Sequence, residues 1–119
     1  MNPEQYINEA QMTKSDQYNT GIDPDVVHAI IGISTESGEL LDVIKKFMFY
    51  GKDIDWVNLD EEIGDVLWYV AIYLKARGLT LEEAMAKNNA KLKARFPDKF
   101  STEKAINRDL ETERKILES

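Results

Sequence analysis

The chain has 119 residues, a formal net charge of −7 and no cysteine. This length fits one domain with a modest core, while the lack of cysteine excludes a disulfide framework and a thiolate metal site and is typical of a reducing compartment. Nucleic-acid binding depends on Lys and Arg side chains that neutralise phosphates, so this acidic chain is not expected to bind nucleic acid in general.

The first predicted element is a short helix that begins after Asn2, since Pro3 is tolerated at the first helical position. The N-terminal residues have neither the basic start nor the apolar run of a signal peptide, so we predict a cytoplasmic location. The polar segment from Thr13 to Gly21 is predicted to be a loop.

A long second helix is predicted to begin at Asp23-Pro24. Its apolar residues recur three or four positions apart, which is typical of a helix with one buried face; they are Val26, Ile30, Ile33, Leu40, Ile44 and Phe47. The segment from Gly51 to Asn58 interrupts this pattern and is predicted to be a loop.

The third predicted helix runs from about Leu59 to Arg77 and stops at Gly78. Its segment 66–74 is apolar on every side, yet it is far too short to cross a bilayer, so no membrane partner is expected. A helix that is apolar all round is normally buried all round. Because a chain this small can hardly cover such a helix alone, we predict a homodimer or homotetramer.

Thr80 is predicted to begin a fourth helix, with Glu83 completing a capping box, and this helix ends before Pro97. The remaining polar segment is predicted to be a helical extension that packs little. The predicted fold class is therefore all-α: a bundle of four main helices in a domain 1–97, a C-terminal extension 98–119, and a core completed by dimerisation. No segment alternates with period two, so no sheet is predicted.

Two pairs of acids lie beside the apolar faces of the second and third helices, and the members of each pair are three residues apart: Glu36 and Glu39, then Glu62 and Asp65. Burying four carboxylates is costly unless a cation neutralises them, and Mg²⁺, with Mn²⁺ as a possible substitute, takes oxygen ligands. The single histidine, His28, does not follow any glutamate by three residues, which argues against a di-iron bundle. The alternative interpretation is that these acids are solvated helix residues.

The fourth helix carries a polar group that falls on adjoining turns, formed by Asn88, Lys91 and Arg95. A solvated basic helix end would account for Arg95, because cations are favourable near a helix C-terminus. It would not account for Asn88, which falls within the apolar face. The functional interpretation is a phosphate-binding group in which Lys supplies a point charge and Arg a two-pronged donor.

Together these residues resemble the MazG-like, all-α nucleoside triphosphate pyrophosphohydrolase superfamily, whose hallmark is Glu-x-x-Glu on one helix and Glu-x-x-Asp on the next. Here these motifs stand at 36–39 and 62–65, and the resemblance extends over roughly residues 6–95. It implies Mg²⁺-dependent hydrolysis of an NTP or dNTP between the α- and β-phosphates, which gives a nucleoside monophosphate and pyrophosphate. It also implies that the four acids bind the metal and that Lys91 and Arg95 bind phosphate.

The sequence departs from the family pattern at Thr35, where many members have a further Glu, and at Asn58, where some have a Lys. Glu61 matches the doubled acid of many members and is a candidate for activating the attacking water; its alternative is an exposed acid at a helix start. The base-binding residues are not assigned, although Trp68 and His28 are candidates.

Two other functions remain open at the level of sequence. The first is phosphoribosyl-ATP pyrophosphohydrolase, which has a related fold and related chemistry. The second is a non-enzymatic helical interaction module, in which the acids would simply be solvated.

Overall fold

A computed structural model describes all 119 residues of the chain and contains helices but no strand. The prediction of an all-α protein is therefore confirmed. The helices are α1 (Pro3–Thr13), α2 (Pro24–Tyr50), α3 (Trp56–Ala76), α4 (Leu81–Arg95), α5 (Thr102–Ile106) and α6 (Leu110–Glu118).

The predicted helix starts at Asn2, Asp23 and Thr80 are all present as N-terminal caps. At α4 the capping box is complete: the Glu83 backbone N–H donates to the Thr80 hydroxyl at 3.1 Å, and the Thr80 backbone N–H donates to the Glu83 carboxylate at 3.0 Å. Gly51 ends α2 in the left-handed conformation, with a φ of 66° that favours glycine.

The third helix begins three residues earlier than the predicted start at Leu59, so the predicted loop is wrong over its last three positions. The reason is Asp55, whose carboxylate accepts a hydrogen bond from the backbone N–H of Asn58 at 3.2 Å and so caps the helix. The connection between α2 and α3 is therefore only residues 51–55.

Helices α2 and α3 form an antiparallel pair, because Gly32 meets Tyr69 while Glu36 lies beside Glu62. Gly32 is buried, and any Cβ added to it would overlap the ring of Tyr69. The lack of a side chain at Gly32 therefore allows the two helices to approach each other closely here.

Very little of the chain is buried within one copy. Only Ala29, Gly32, Leu74 and Glu113 are buried. The radius of gyration is 20.1 Å, against about 13–14 Å for a compact domain of this length. The segment 66–74 is not buried all round: Leu67 is 60% exposed and Trp68 is 54% exposed. The expectation that a second copy completes the core stays a prediction.

The C-terminal residues are more closely attached than the sequence suggested. They form α5 and α6, and α6 packs against α4. The expectation that this segment packs little is wrong, because Glu113 of α6 is only 4% exposed. None of the helices combines the length and the apolar character needed to cross a bilayer.

Candidate metal centre

Three of the four predicted ligands meet between α2 and α3. Glu36, Glu62 and Asp65 each place a carboxylate oxygen within 4.8 Å of the other two. The antiparallel pairing brings the middle of α2 opposite the first half of α3, and the spacing of three residues keeps Glu62 and Asp65 on the same side of their helix.

The fourth acid, Glu39, adjoins this group. The close approach of the Glu62 carboxyl, together with the negative charges of Glu62 and Asp65, raises the pKa of Glu39 above its ordinary value. The pKa of Glu62 is raised in turn, chiefly by the close approach of the Glu36 carboxyl and also by desolvation and the nearby charges. The like charges therefore disfavour full ionisation of the cluster.

The inner side of the cluster contains two buried oxygens without hydrogen-bond partners, Glu36 Oε2 and Glu62 Oε2. A buried carboxylate oxygen that lacks a donor loses the stabilisation that water would have given it. A hard divalent cation such as Mg²⁺ or Mn²⁺ would compensate both oxygens, since these ions prefer carboxylate ligands. The residues present thus fit a bound divalent cation.

The one histidine is not part of this centre. His28 packs edge-on against Tyr69 and Trp68, with ring centroids 5.5 Å and 6.3 Å apart, and Trp68 meets Tyr69 at 5.0 Å. An open hollow of about 580 Å³ lies beside this aromatic cluster and is partly lined by His28, Val27 and Ile31.

The other predicted site residues do not all join the carboxylates. Glu61 is exposed on α3 next to Glu62, and it forms no hydrogen bond or ion pair. On α4, the Lys91 ammonium donates to the Asn88 side-chain oxygen at 2.8 Å. Helix α4 packs mainly against α6, so one copy of the chain does not unite the basic residues with the acids.

Arg95 makes a contact that the sequence did not reveal. Its Nε and Nη2 both donate to Glu113 Oε1, at 3.2 Å and 2.5 Å. Arg108 also binds Glu113, and these two arginines lower the pKa of Glu113 to about 2. Because 18 residues separate Arg95 from Glu113, no local spacing rule could have found this pair.

Comparison with known protein families shows to which family the chain belongs. The MazG nucleotide pyrophosphohydrolase domain matches residues 28–100, which is more than half of the chain, so the chain belongs to the MazG family. No curated protein and no solved structure matches the chain. The family membership supports nucleotide pyrophosphohydrolase activity in general terms. The matched region includes the four acids, Lys91 and Arg95, whereas α5 and α6 lie outside it.

Proposed function

We propose that the chain is a Mg²⁺-dependent pyrophosphohydrolase that converts a nucleoside triphosphate, either NTP or dNTP, to a nucleoside monophosphate and pyrophosphate. The observation that carries this proposal is the pair of buried, unpartnered oxygens on Glu36 and Glu62, within an acidic cluster of a MazG-family chain. Solvated acids on a helix surface would not leave such oxygens behind.

In this proposal the four acids Glu36, Glu39, Glu62 and Asp65 hold the metal. Mg²⁺ bound there would supply positive charge for the phosphate oxygens and make a water molecule more acidic. The chain carries a net charge of −7. The bound metal ion would therefore supply an important part of the positive charge that neutralises the triphosphate. Glu61, exposed beside the cluster, is the candidate to accept the proton of the attacking water.

The proposed phosphate-binding residues are Asn88, Lys91 and Arg95. As the bond between the α- and β-phosphates breaks, negative charge grows on the departing pyrophosphate, and the Lys and Arg cations would stabilise it. The hydrogen bond from Lys91 to Asn88 holds the ammonium in a defined position on α4.

We also propose that assembly completes the site. The basic residues and the acids are not united in one copy, and large apolar side chains on α2 and α3 remain exposed, including Leu41, Met48, Phe49, Leu67 and Trp68. A homodimer or homotetramer that covers this surface would allow α4 of one copy to approach the carboxylates of another. Large apolar side chains exposed in such numbers favour an interface with another copy.

The experiment that tests the proposed reaction is a panel of NTPs and dNTPs incubated with the protein and Mg²⁺, with products separated by chromatography. The expected products are a monophosphate and pyrophosphate. A diphosphate and inorganic phosphate would contradict the proposal. Phosphoribosyl-ATP belongs in the panel, because turnover of that substrate alone would identify the related enzyme. No turnover and no Mg²⁺ binding would identify a non-enzymatic module.

A further inference from the structure

Glu113 is the only charged residue of the chain that is buried, and it lies outside the region matched by the family. Both of its carboxylate oxygens are held by guanidinium groups. Arg95 donates twice to Oε1, while Arg108 donates from Nε to Oε2 at 3.2 Å and from Nη2 to Oε1 at 3.0 Å. We call this three-residue group the α6 latch.

The latch differs from the other ion pairs of α6. Its Arg95 and Glu113 side chains are 16% and 5% exposed, whereas those of the pair between Arg114 and Glu118 are 75% and 58% exposed. Exposed pairs of that kind contribute little to stability. Shielded, charge-assisted hydrogen bonds are much stronger, so the latch is the main polar attachment of α6 to α4.

The latch also occupies two N–H groups of Arg95 that are able to bind a phosphate side-on. A guanidinium grips a phosphate with two parallel N–H groups, and the Nε and Nη2 groups of Arg95 already point at Glu113. Glu113 is ionised at neutral pH, because even its ordinary pKa of 4.5 lies well below 7 and the two arginines lower that pKa to about 2. A phosphate group brought to the same two N–H groups would therefore meet a negative charge already in place.

We propose that the α6 latch is autoinhibitory. The Glu113 carboxylate occupies the Nε and Nη2 groups of Arg95 in place of a phosphate, so phosphate binding at Arg95 requires release of Glu113. This inference rests on the proposed function, since that function assigns Arg95 to the phosphates. The observed affinity is then the intrinsic affinity multiplied by the fraction of molecules with the latch open.

The test measures binding of inorganic pyrophosphate, with Mg²⁺ present, to the full-length protein by calorimetry. The variant Glu113→Gln keeps the shape of the side chain and removes its charge. We expect it to bind pyrophosphate about tenfold more tightly than the original protein, which is the scale of one charge-assisted hydrogen bond, and to show a similar decrease in KM for the triphosphate.

A second variant loosens α6 without touching either partner of the pair. Asp109 caps α6 by accepting hydrogen bonds from the Thr112 backbone N–H at 3.1 Å and the Thr112 hydroxyl at 2.7 Å. Asp109→Ala should therefore tighten pyrophosphate binding by up to about fivefold, the usual cost of a lost cap. The matched control is Glu118→Gln, which removes an exposed acid from the same helix and should change nothing.

Hydrogen exchange supplies a readout that does not depend on turnover. Pyrophosphate should accelerate amide exchange in residues 110–118 of the original protein, because it displaces Glu113. Weaker binding by a folded Glu113→Gln variant would show that Glu113 positions Arg95 and would overturn the latch. Unchanged binding in both variants, or no binding by any of the proteins, would overturn it as well.

The failure of the latch and the failure of the proposed reaction are distinguishable. If the protein hydrolyses triphosphates while Glu113→Gln and Asp109→Ala bind pyrophosphate like the original protein, only the latch is wrong. If both variants bind pyrophosphate more tightly while no triphosphate is cleaved, the latch holds and the proposed reaction is wrong.

Discussion

Glu36 and Glu62 face each other across α2 and α3, and each keeps one buried oxygen without a donor. Water would normally satisfy such atoms at the surface, so the helix pair retains an electrostatic cost that a cation can remove. Because of this cost, the cluster is not expected to stabilise the fold without a bound cation.

Replacing Glu62 by Gln should therefore separate activity from stability. We expect activity to fall by at least about a hundredfold, since a ligand charge is lost, while the metal-free fold becomes slightly more stable because repulsion is relieved. Mg²⁺ should raise the Tm of the original protein and raise that of the variant less. The matched control is Asp60→Asn, an exposed acid of the same helix; full activity in Glu62→Gln would refute the metal assignment.

The raised pKa values of Glu39 and Glu62 predict how the metal-free protein responds to pH. Above the ordinary value of 4.5, the folded chain holds protons that the unfolded chain has released. The free energy of unfolding should therefore fall as pH rises from about 4.5 through the raised values. Urea unfolding with a chelator present should show this decrease, and Glu62→Gln should make it smaller. An equally steep decrease in the variant would contradict the prediction.

The lowered pKa of Glu113 predicts the opposite change at lower pH, where the free energy of unfolding should fall as the pH falls. Its pKa is lowered from 4.5 to about 2 by Arg108 and Arg95, so its contribution to stability is fully present above about pH 4.5 and is lost as pH falls toward 2. Urea unfolding between these pH values should show a smaller loss for Glu113→Gln than for the original protein. The Glu118→Gln variant should retain the full loss, because its ion pair is exposed.

At the scale of single residues, the sequence predicted contacts within and between neighbouring helices. The i,i+3 spacing placed Glu62 and Asp65 on one side, and the structure brings both to Glu36. The pair of Arg95 and Glu113 was not predictable, because it depends on the path of the chain after Pro97 rather than on any local period. The phosphate-binding role of Arg95 stays a prediction.

At the scale of the elements, the α2–α3 pair depends on one small residue. The Gly32 position has no room for a side chain, because the ring of Tyr69 occupies that space. This close contact lies beside the aromatic cluster of His28, Trp68 and Tyr69, and it belongs to the same antiparallel register that brings the acids together.

Gly32→Ala should therefore destabilise the protein by about 1–3 kcal/mol, since an added methyl group forces the Tyr69 ring to move. Gly38→Ala is the matched control on the same helix: nothing lies within 4 Å of its added Cβ, and alanine favours a helix over glycine by up to about 1 kcal/mol. Urea unfolding of both variants measures the difference. Equal stabilities would show that α2 and α3 do not pack closely at Gly32.

The helix boundaries were predictable where a capping residue lies next to a change in pattern. Asn2, Asp23 and Thr80 were found in this way, and Gly51 ends α2 as its conformational freedom suggests. The start of α3 was placed too late because the predicted helical pattern was counted only from Leu59, although Asp55 caps the helix three residues earlier. The packing of α6 was missed because its buried ion pair joins Glu113 to Arg95 across 18 residues, which no local pattern reveals.

At the scale of the whole molecule, the all-round apolar character of 66–74 predicted a helix that one copy cannot cover completely, and part of this segment is exposed. Leu67 and Trp68 remain more than half exposed, and the molecule extends over 55 × 43 × 35 Å. A sequence can reveal this surplus of apolar surface, but the composition of an interface does not specify how many copies meet or how they are arranged.

We therefore expect sedimentation at micromolar concentration to show at least a dimer. A substitution that weakens this assembly should also reduce activity. Leu67→Gln places a polar group on exposed apolar surface of α3 and should weaken association and turnover in parallel, because a separated copy lacks α4 near its carboxylates. Ile106→Gln is the matched control, since Ile106 is 72% exposed but lies in α5, outside the matched region. Raising the protein concentration should restore the activity of Leu67→Gln by mass action, and a fully active monomer would show that one copy holds the whole site.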